Sequence, residues 1–268
     1  IFGIGSVKTV YGGGGAGGIA GDSVDTFYEA LDQSSIDYDK DLYNLYSNYS
    51  ATGKISLEDY KKPGKNIINI LLPNLSGFIQ SSPVEMPADN ISDEILNKSA
   101  EFSDTALYVV SRVGMEASDQ KVEDLRLSDD EKKTLDKLDE KFDHIVLLVN
   151  ATNVMELGFV DDYKNIDSVL WIGAPGQVGS HSIAKMLKGE VNPSGRLTDT
   201  YAYDLESNPA VLNTGDFQYK EDGEGVRRYF QNNEESIYVG YRYYETFTSE
   251  ADYDLAVQYP FGYGLSYT

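Results

Sequence analysis

Two carboxylates and an arginine stand together in Ser111-Arg112-Val113-Gly114-Met115-Glu116-Ala117-Ser118-Asp119, just after the apolar run Thr105-Ala-Leu-Tyr-Val-Val. They therefore fall at the C-terminal end of an expected strand. In open parallel sheets, ligands bind outside the carboxyl ends of strands, and a Glu and an Asp on such a loop can exchange protons with a substrate. On composition alone, Glu116 and Asp119 are equally two solvated acids among 44. A second candidate is the run Gly12 to Gly15, Gly17 and Gly18, between an expected strand end and an expected helix. Glycines there let a backbone come close to a ligand. The spacing is not that of a dinucleotide loop, no acidic ribose contact follows at a strand end, and the Lys-Ser/Thr of a phosphate loop is missing. No cofactor is expected, and the run reads as a loop that lines a site by its backbone. His181, at the start of a helix after Trp171-Ile-Gly-Ala-Pro-Gly-Gln-Val-Gly, reads as structural or exposed rather than catalytic. There is no Cys, which excludes disulfides and thiolate metal sites. With only His144 and His181, a multi-His metal site is not expected. The absence of a Gly-x-Ser-x-Gly elbow disfavours an α/β-hydrolase.

Asp plus Glu is 44 and Lys plus Arg is 22, a formal charge of −22. Such a surface repels a phosphate backbone and an anionic bilayer, so no nucleic acid and no membrane partner is expected. A neutral ligand fits. A hydrophobic fraction of 41% suits a globular chain. The chain opens on Ile-Phe-Gly-Ile-Gly without a start Met or a basic leader, and is expected to be a piece of a longer protein. Localisation is left unknown, since lack of Cys fixes no compartment.

The elements that must carry these residues are legible from periodicity. Ile1 to Ile4 read as a strand end. Asp22 to Leu31 have helical spacing, with Asp22 or Ser23 as N-cap. Asp37 to Tyr60 read as a helix and then a loop, and Pro73 to Pro87 as irregular. From residue 91 helices and strands alternate: helix 91–102, strand 105–111, helix 128–141 with Ser128 and Glu131 as a capping box, strand 145–149, a short helix within 155–163, strand 168–172, and helix 179–188 ended by Gly189. That alternation implies an α/β fold, a three-layer α/β/α sandwich around a mostly parallel, about six-stranded sheet. Residues 203–236 read as a long loop. Residues 238–268 are aromatic and glycine-punctuated, suited to an interface or a sugar platform, or to packing of an aromatic-rich edge. Val191-Asn-Pro-Ser-Gly-Arg-Leu is a turn. The triplet Asn150-Ala-Thr matches a glycosylation pattern only in a secretory setting.

Taken together, the glycine-rich loop, SRVGMEASD, IVLLVNATNVMEL, APGQVGSHSIAKMLKGEVNPSGRLTDT, IYVGYRYYETF and YPFGYGLSYT resemble the C-terminal α/β-sandwich domain of glycoside hydrolase family 3 over nearly all of residues 1–268. The resemblance implies one sandwich domain of a retaining β-glycosidase, β-glucosidase first, acting on terminal β-D-glycosyl residues of a β-linked oligosaccharide or aryl glycoside. It places the general acid/base on Glu116 and makes Arg112 and Asp119 candidates for positioning it and for binding substrate. Gly14 and Gly15 become candidates for lining the sugar site. The nucleophilic Asp would come from a (β/α)8 barrel domain that these residues do not include, and no cofactor is implied. Met115 and Ala117 stand where the family prefers glycines, and Ala16-Gly where Ser-Gly is common. The alternative is a non-catalytic carbohydrate-binding or interaction module on the same fold; a nucleotide-binding α/β protein comes third.

Overall fold

The computed structural model describes residues 1–19, 24–52, 82–116, 119–215, 217–221 and 223–266. The chain divides into two compact units. The first comprises Ile1–Ser118, Leu127–Asn153 and Val160–Asn192. Its centre is a parallel sheet of β1 (Thr105–Arg112), β2 (His144–Ala151) and β3 (Ile166–Trp171), in that order. The two long strands are nearly continuous in apolar and β-branched residues because helices cover both faces. On one face, Val109 and Leu148 share a core with α1 (Phe27–Gln33) and α5 (Ser180–Leu187), through Phe27, Leu31, Ile183 and Ala184. On the other, Tyr108 reaches α4 (Asp129–Lys141), its hydroxyl donating to the Glu131 carbonyl, with Leu135 and Leu138 fully buried. Helices α2 (Lys40–Thr52) and α3 (Asp93–Phe102) complete the described helices of this unit.

The α/β sandwich is therefore present, but the main sheet has three strands among the described residues rather than about six. Ile1 to Ile4 add only one parallel bridge, Phe2 to Tyr108. Gly3 turns the chain at φ 90°, and a 3-10 turn over Ile4–Ser6 follows. The first helix is capped by Thr26, whose side chain accepts from the Glu29 amide in a capping box, not by Asp22 or Ser23, which lie outside the described residues. Residues 53–81, which include the expected loop end at Tyr60 and the start of the irregular stretch at Pro73, also lie outside them. The expected box of Ser128 and Glu131 is present, and Gly189 ends α5 at φ 72°.

Glu85 is an acidic side chain of this unit buried among rings. It is 6% exposed, accepts the Ile4 amide at 3.0 Å and the Met86 amide at 2.9 Å, and faces Tyr46, Tyr108, Asp130 and Glu131. Burial pushes its carboxyl up to about 7, against the two amide bonds. A carboxyl raised in the folded state binds more protons there than in the unfolded chain. Its contribution is thus full at low pH and is lost as pH rises through about 7. Denaturant midpoints are expected to fall between pH 5 and pH 8, and Glu85→Gln to flatten that slope. His144, raised by its hydrogen bond to Asp167, has the same sign and remains in the variant as an internal reference. An unchanged slope in Glu85→Gln would remove Glu85 from this role.

The second unit comprises Asp119–Arg126, Val154–Phe159 and Pro193–Thr268. Residues 203–236, expected to be a loop, contain the 3-10 turn Leu205–Ser207, α6 (Pro209–Leu212) and an antiparallel hairpin of β5 (Phe217–Glu221) and β6 (Glu224–Phe230). Phe217 pairs with Phe230 across that ladder, which the polar composition hides. The aromatic segment forms α7 (Tyr241–Phe247), α8 (Glu250–Ala256) and β7 (Val257–Tyr259), and β7 pairs antiparallel with β4 (Tyr201–Ala202). Arg126 ties this unit together. Its guanidinium donates to both oxygens of Glu156 at 2.7 and 3.0 Å and to Glu206 at 3.2 Å, and Glu156 in turn accepts the Leu205 amide.

Candidate active site

The site is assembled at the carboxyl ends of the parallel strands. The turn after β1 runs beside the glycine-rich loop. The Gly14 amide donates to the Gly114 carbonyl at 2.9 Å, and Gly14 bridges Met115 in parallel. This approach needs a residue without a side chain: a Cβ on Gly14 would lie 2.6 Å from Cγ of Met115. Gly15 has φ 70°, and a Cβ there would lie 2.9 Å from Cβ of Glu116. The chain then enters the 3-10 turn Gly15–Gly17, and the amide of Ala16 donates to Oε2 of Glu116 at 3.1 Å. Glu116 is exposed, so this backbone bond fixes a carboxylate that otherwise faces solvent. Gly14, Gly15 and Glu116 are thus brought together.

Asn150, at the end of β2, holds the platform beneath this turn. It is completely buried and uses all of its amide. Nδ2 donates to the carbonyls of Val10 and Gly173 at 2.9 and 2.7 Å, and Oδ1 accepts from the Val10 amide and the Ser111 hydroxyl at 2.7 and 2.9 Å. One side chain joins the approach to the glycine loop, the end of β1 and the turn after β3. A sequence reading finds only the triplet it begins. Its burial leaves no amide nitrogen for a glycan in the folded chain. The Gly176 amide adds a further tie, donating to the Tyr11 carbonyl at 2.9 Å.

Arg112 pairs with Glu131 at the end of β1. Its guanidinium lies flat against Glu131, with two donors at 2.8 Å to the two carboxylate oxygens, and both side chains are almost fully buried. Glu131 also accepts the Ser128 amide in the capping box of α4. The end of β1 is thereby locked to the start of α4. Asp119 belongs to the second unit and lines an open groove there with Asn213 and Glu235; Ala117 and Ser118 lie outside the described residues. His181 takes the structural role expected of it, with Nε2 2.9 Å from Asp25 Oδ2 beside the start of α1. Among the described residues, no cluster of His, Cys, Asp or Glu could hold a metal ion, and no helix is long and apolar enough to cross a membrane.

What this arrangement offers chemically is a solvent-facing carboxylate, aimed by a backbone amide, at the carboxyl end of a parallel sheet. The glycosyl hydrolase family 3 C-terminal domain matches residues 1–267. A beta-glucosidase of Ruminococcus albus is 36% identical over 191 residues, covering 69% of this chain and 18% of that protein. Beta-glucosidase A of Butyrivibrio fibrisolvens is 31% identical and covers 100% of this chain and 31% of that protein. Among solved structures, beta-glucosidase 3B from Thermotoga neapolitana in complex with alpha-D-glucose matches with a TM-score of 0.76 and 29% identity, over 99% of this chain and 34% of that one. A beta-glucosidase from Paenibacillus barengoltzii matches with a TM-score of 0.76 at 27% identity, over 100% of this chain and 26% of that one. The chain spans about a third or less of the length of each of these proteins. Across its whole length, sheet, glycine loop and Glu116 turn included, the chain belongs to the glycosyl hydrolase family 3 C-terminal domain family.

Proposed function

We propose that the chain is the sandwich part of a retaining β-glycosidase, a β-glucosidase, that hydrolyses terminal non-reducing β-D-glycosyl residues of β-linked oligosaccharides and aryl glycosides. Glu116 is the general acid, then the general base. The Asp nucleophile comes from a barrel domain of the same polypeptide. Gly14 and Gly15 shape the approach to Glu116, Arg112 stiffens the strand that presents it, and Asp119 contributes to substrate binding. The observation that supports this best is the bond from the Ala16 amide to Glu116. It aims one carboxylate outward at the strand ends, where a leaving-group oxygen can take its proton. The proteins it matches are named beta-glucosidases.

Double displacement needs two carboxyl groups about 5–5.5 Å apart, so one acid cannot complete it. The full polypeptide is expected to turn over an aryl β-glucoside with release of the β-anomer, read by proton NMR in the first minutes of reaction. The 268-residue chain alone is expected to show no turnover. Release of the α-anomer, or turnover by the chain alone, would overturn the proposal.

A further inference from the structure

The second unit carries an open groove of about 450 Å³ whose described lining includes no Lys, Arg or His. The β5–β6 hairpin supplies its rings. Phe217 and Phe230 pair across the ladder with centroids 5.6 Å apart, and Tyr219 meets Phe230 at 5.0 Å. Residues two apart on a strand share a face, so Phe217 and Tyr219 flank Phe230 in a strip. Tyr229 lines the groove and is 60% exposed, and Phe230 is 42% exposed. The polar lining is Asp119, Asn213 and Glu235. Asn213 Nδ2 donates to Glu235 Oε2 at 2.9 Å, which holds that carboxylate in place and keeps its pKa below the usual range.

The volume lies in the range of small-molecule sites, about 300–1,000 Å³. The two carboxylates in the described lining, Asp119 and Glu235, disfavour an anionic ligand. Wet aromatic rings beside fixed acceptors match a molecule with a flat apolar face and a rim of hydroxyl donors. A pyranose has that shape: its C–H face lies on a ring and its hydroxyls donate to carboxylate and amide oxygens. We propose that this groove is a saccharide-binding site of the second unit, taking a neutral pyranose of a β-linked chain on Phe230 and Phe217, with Glu235, Asn213 and Asp119 as acceptors. The ligand class rests on the glycosidase proposal; the site itself does not depend on Glu116.

The test is calorimetric titration of the full polypeptide with a thio-linked β-1,4 glucotetraose, which resists hydrolysis. Phe230→Ala and Glu235→Gln are each expected to raise Kd at least tenfold in the component assigned to this groove. Turnover of an aryl β-glucoside, which carries a single sugar, should stay unchanged. Phe217→Ala provides a second ring variant should Phe230→Ala disturb the hairpin. Saturation-transfer NMR on the unsubstituted protein should place sugar protons against Phe217 and Phe230. Equal affinity in all variants, no saturation transfer from these rings, or displacement of the sugar by a lysine-rich peptide with higher affinity would each overturn the proposal. Loss of the glycosidase proposal is read separately, as absence of aryl β-glucoside turnover by the unsubstituted protein.

Discussion

Glu116→Gln in the full polypeptide is expected to slow hydrolysis of a disaccharide roughly 100- to 10,000-fold, the usual worth of a positioned general acid. An aryl glycoside with a strongly acidic phenol should lose far less in the step that releases the phenol. Such a leaving group departs as an anion and needs no proton, whereas a sugar alkoxide does. Glutamine is the informative replacement because its amide oxygen can still accept the Ala16 amide, which Glu116 accepts at 3.1 Å. The loop keeps its anchor and only the transferable proton goes. Glu116→Ala removes proton and anchor together, so it should add a rise in KM to the same loss of kcat. Equal losses on both substrates would take Glu116 out of the acid role and favour a non-catalytic sugar-binding module.

The second large effect concerns stability. Arg112 and Glu131 form a two-pronged ion pair with side chains only 6% and 5% exposed. Removing one member of a buried pair strands the other charge in a dry site, at a cost of about 3–5 kcal/mol. Arg112→Met is therefore expected to lower the unfolding free energy of this domain by about that much, seen as a shift of denaturant midpoint at constant slope. Glu131→Leu should cost at least as much, since Glu131 also accepts the Ser128 amide that caps α4. The double variant should be less damaged than the sum of the singles, because neither charge is left alone. A change below about 1 kcal/mol for Arg112→Met would mean that solvent reaches the pair and screens it.

What the sequence made legible follows the range of the interactions. Strands 105–112 and 144–151 declare themselves because burial on both faces leaves few polar positions. Helix 129–141 declares itself because its cap is local, Ser128 to Glu131. Thr26 and Glu29 carry the same local signal, masked by the acidic residues just before them. The hairpin had a cue as well, Asp-Gly at 222–223 between runs of alternating aromatics, outweighed by the polar composition around it. Glu116, Gly14 and Gly15 were identifiable through their motifs. Asn150, Glu85 and the partner of Arg112 were not. Their roles rest on burial and on contacts 140, 81 and 19 residues away in the chain, and no local pattern encodes which polar group will end up inside.

The grip on Glu116 comes from a main-chain N–H rather than from a neighbouring side chain. Every residue but one brings that same donor to position 16, so genetic drift there cannot erase it; proline alone lacks the hydrogen. Constraint falls instead on Gly14 and Gly15, where any added carbon meets Met115 or Glu116. A random substitution library over residues 12–18 should thus find tolerance at Ala16 flanked by intolerance at Gly14 and Gly15, a pattern of permissive and forbidden positions written by backbone geometry rather than by side-chain chemistry.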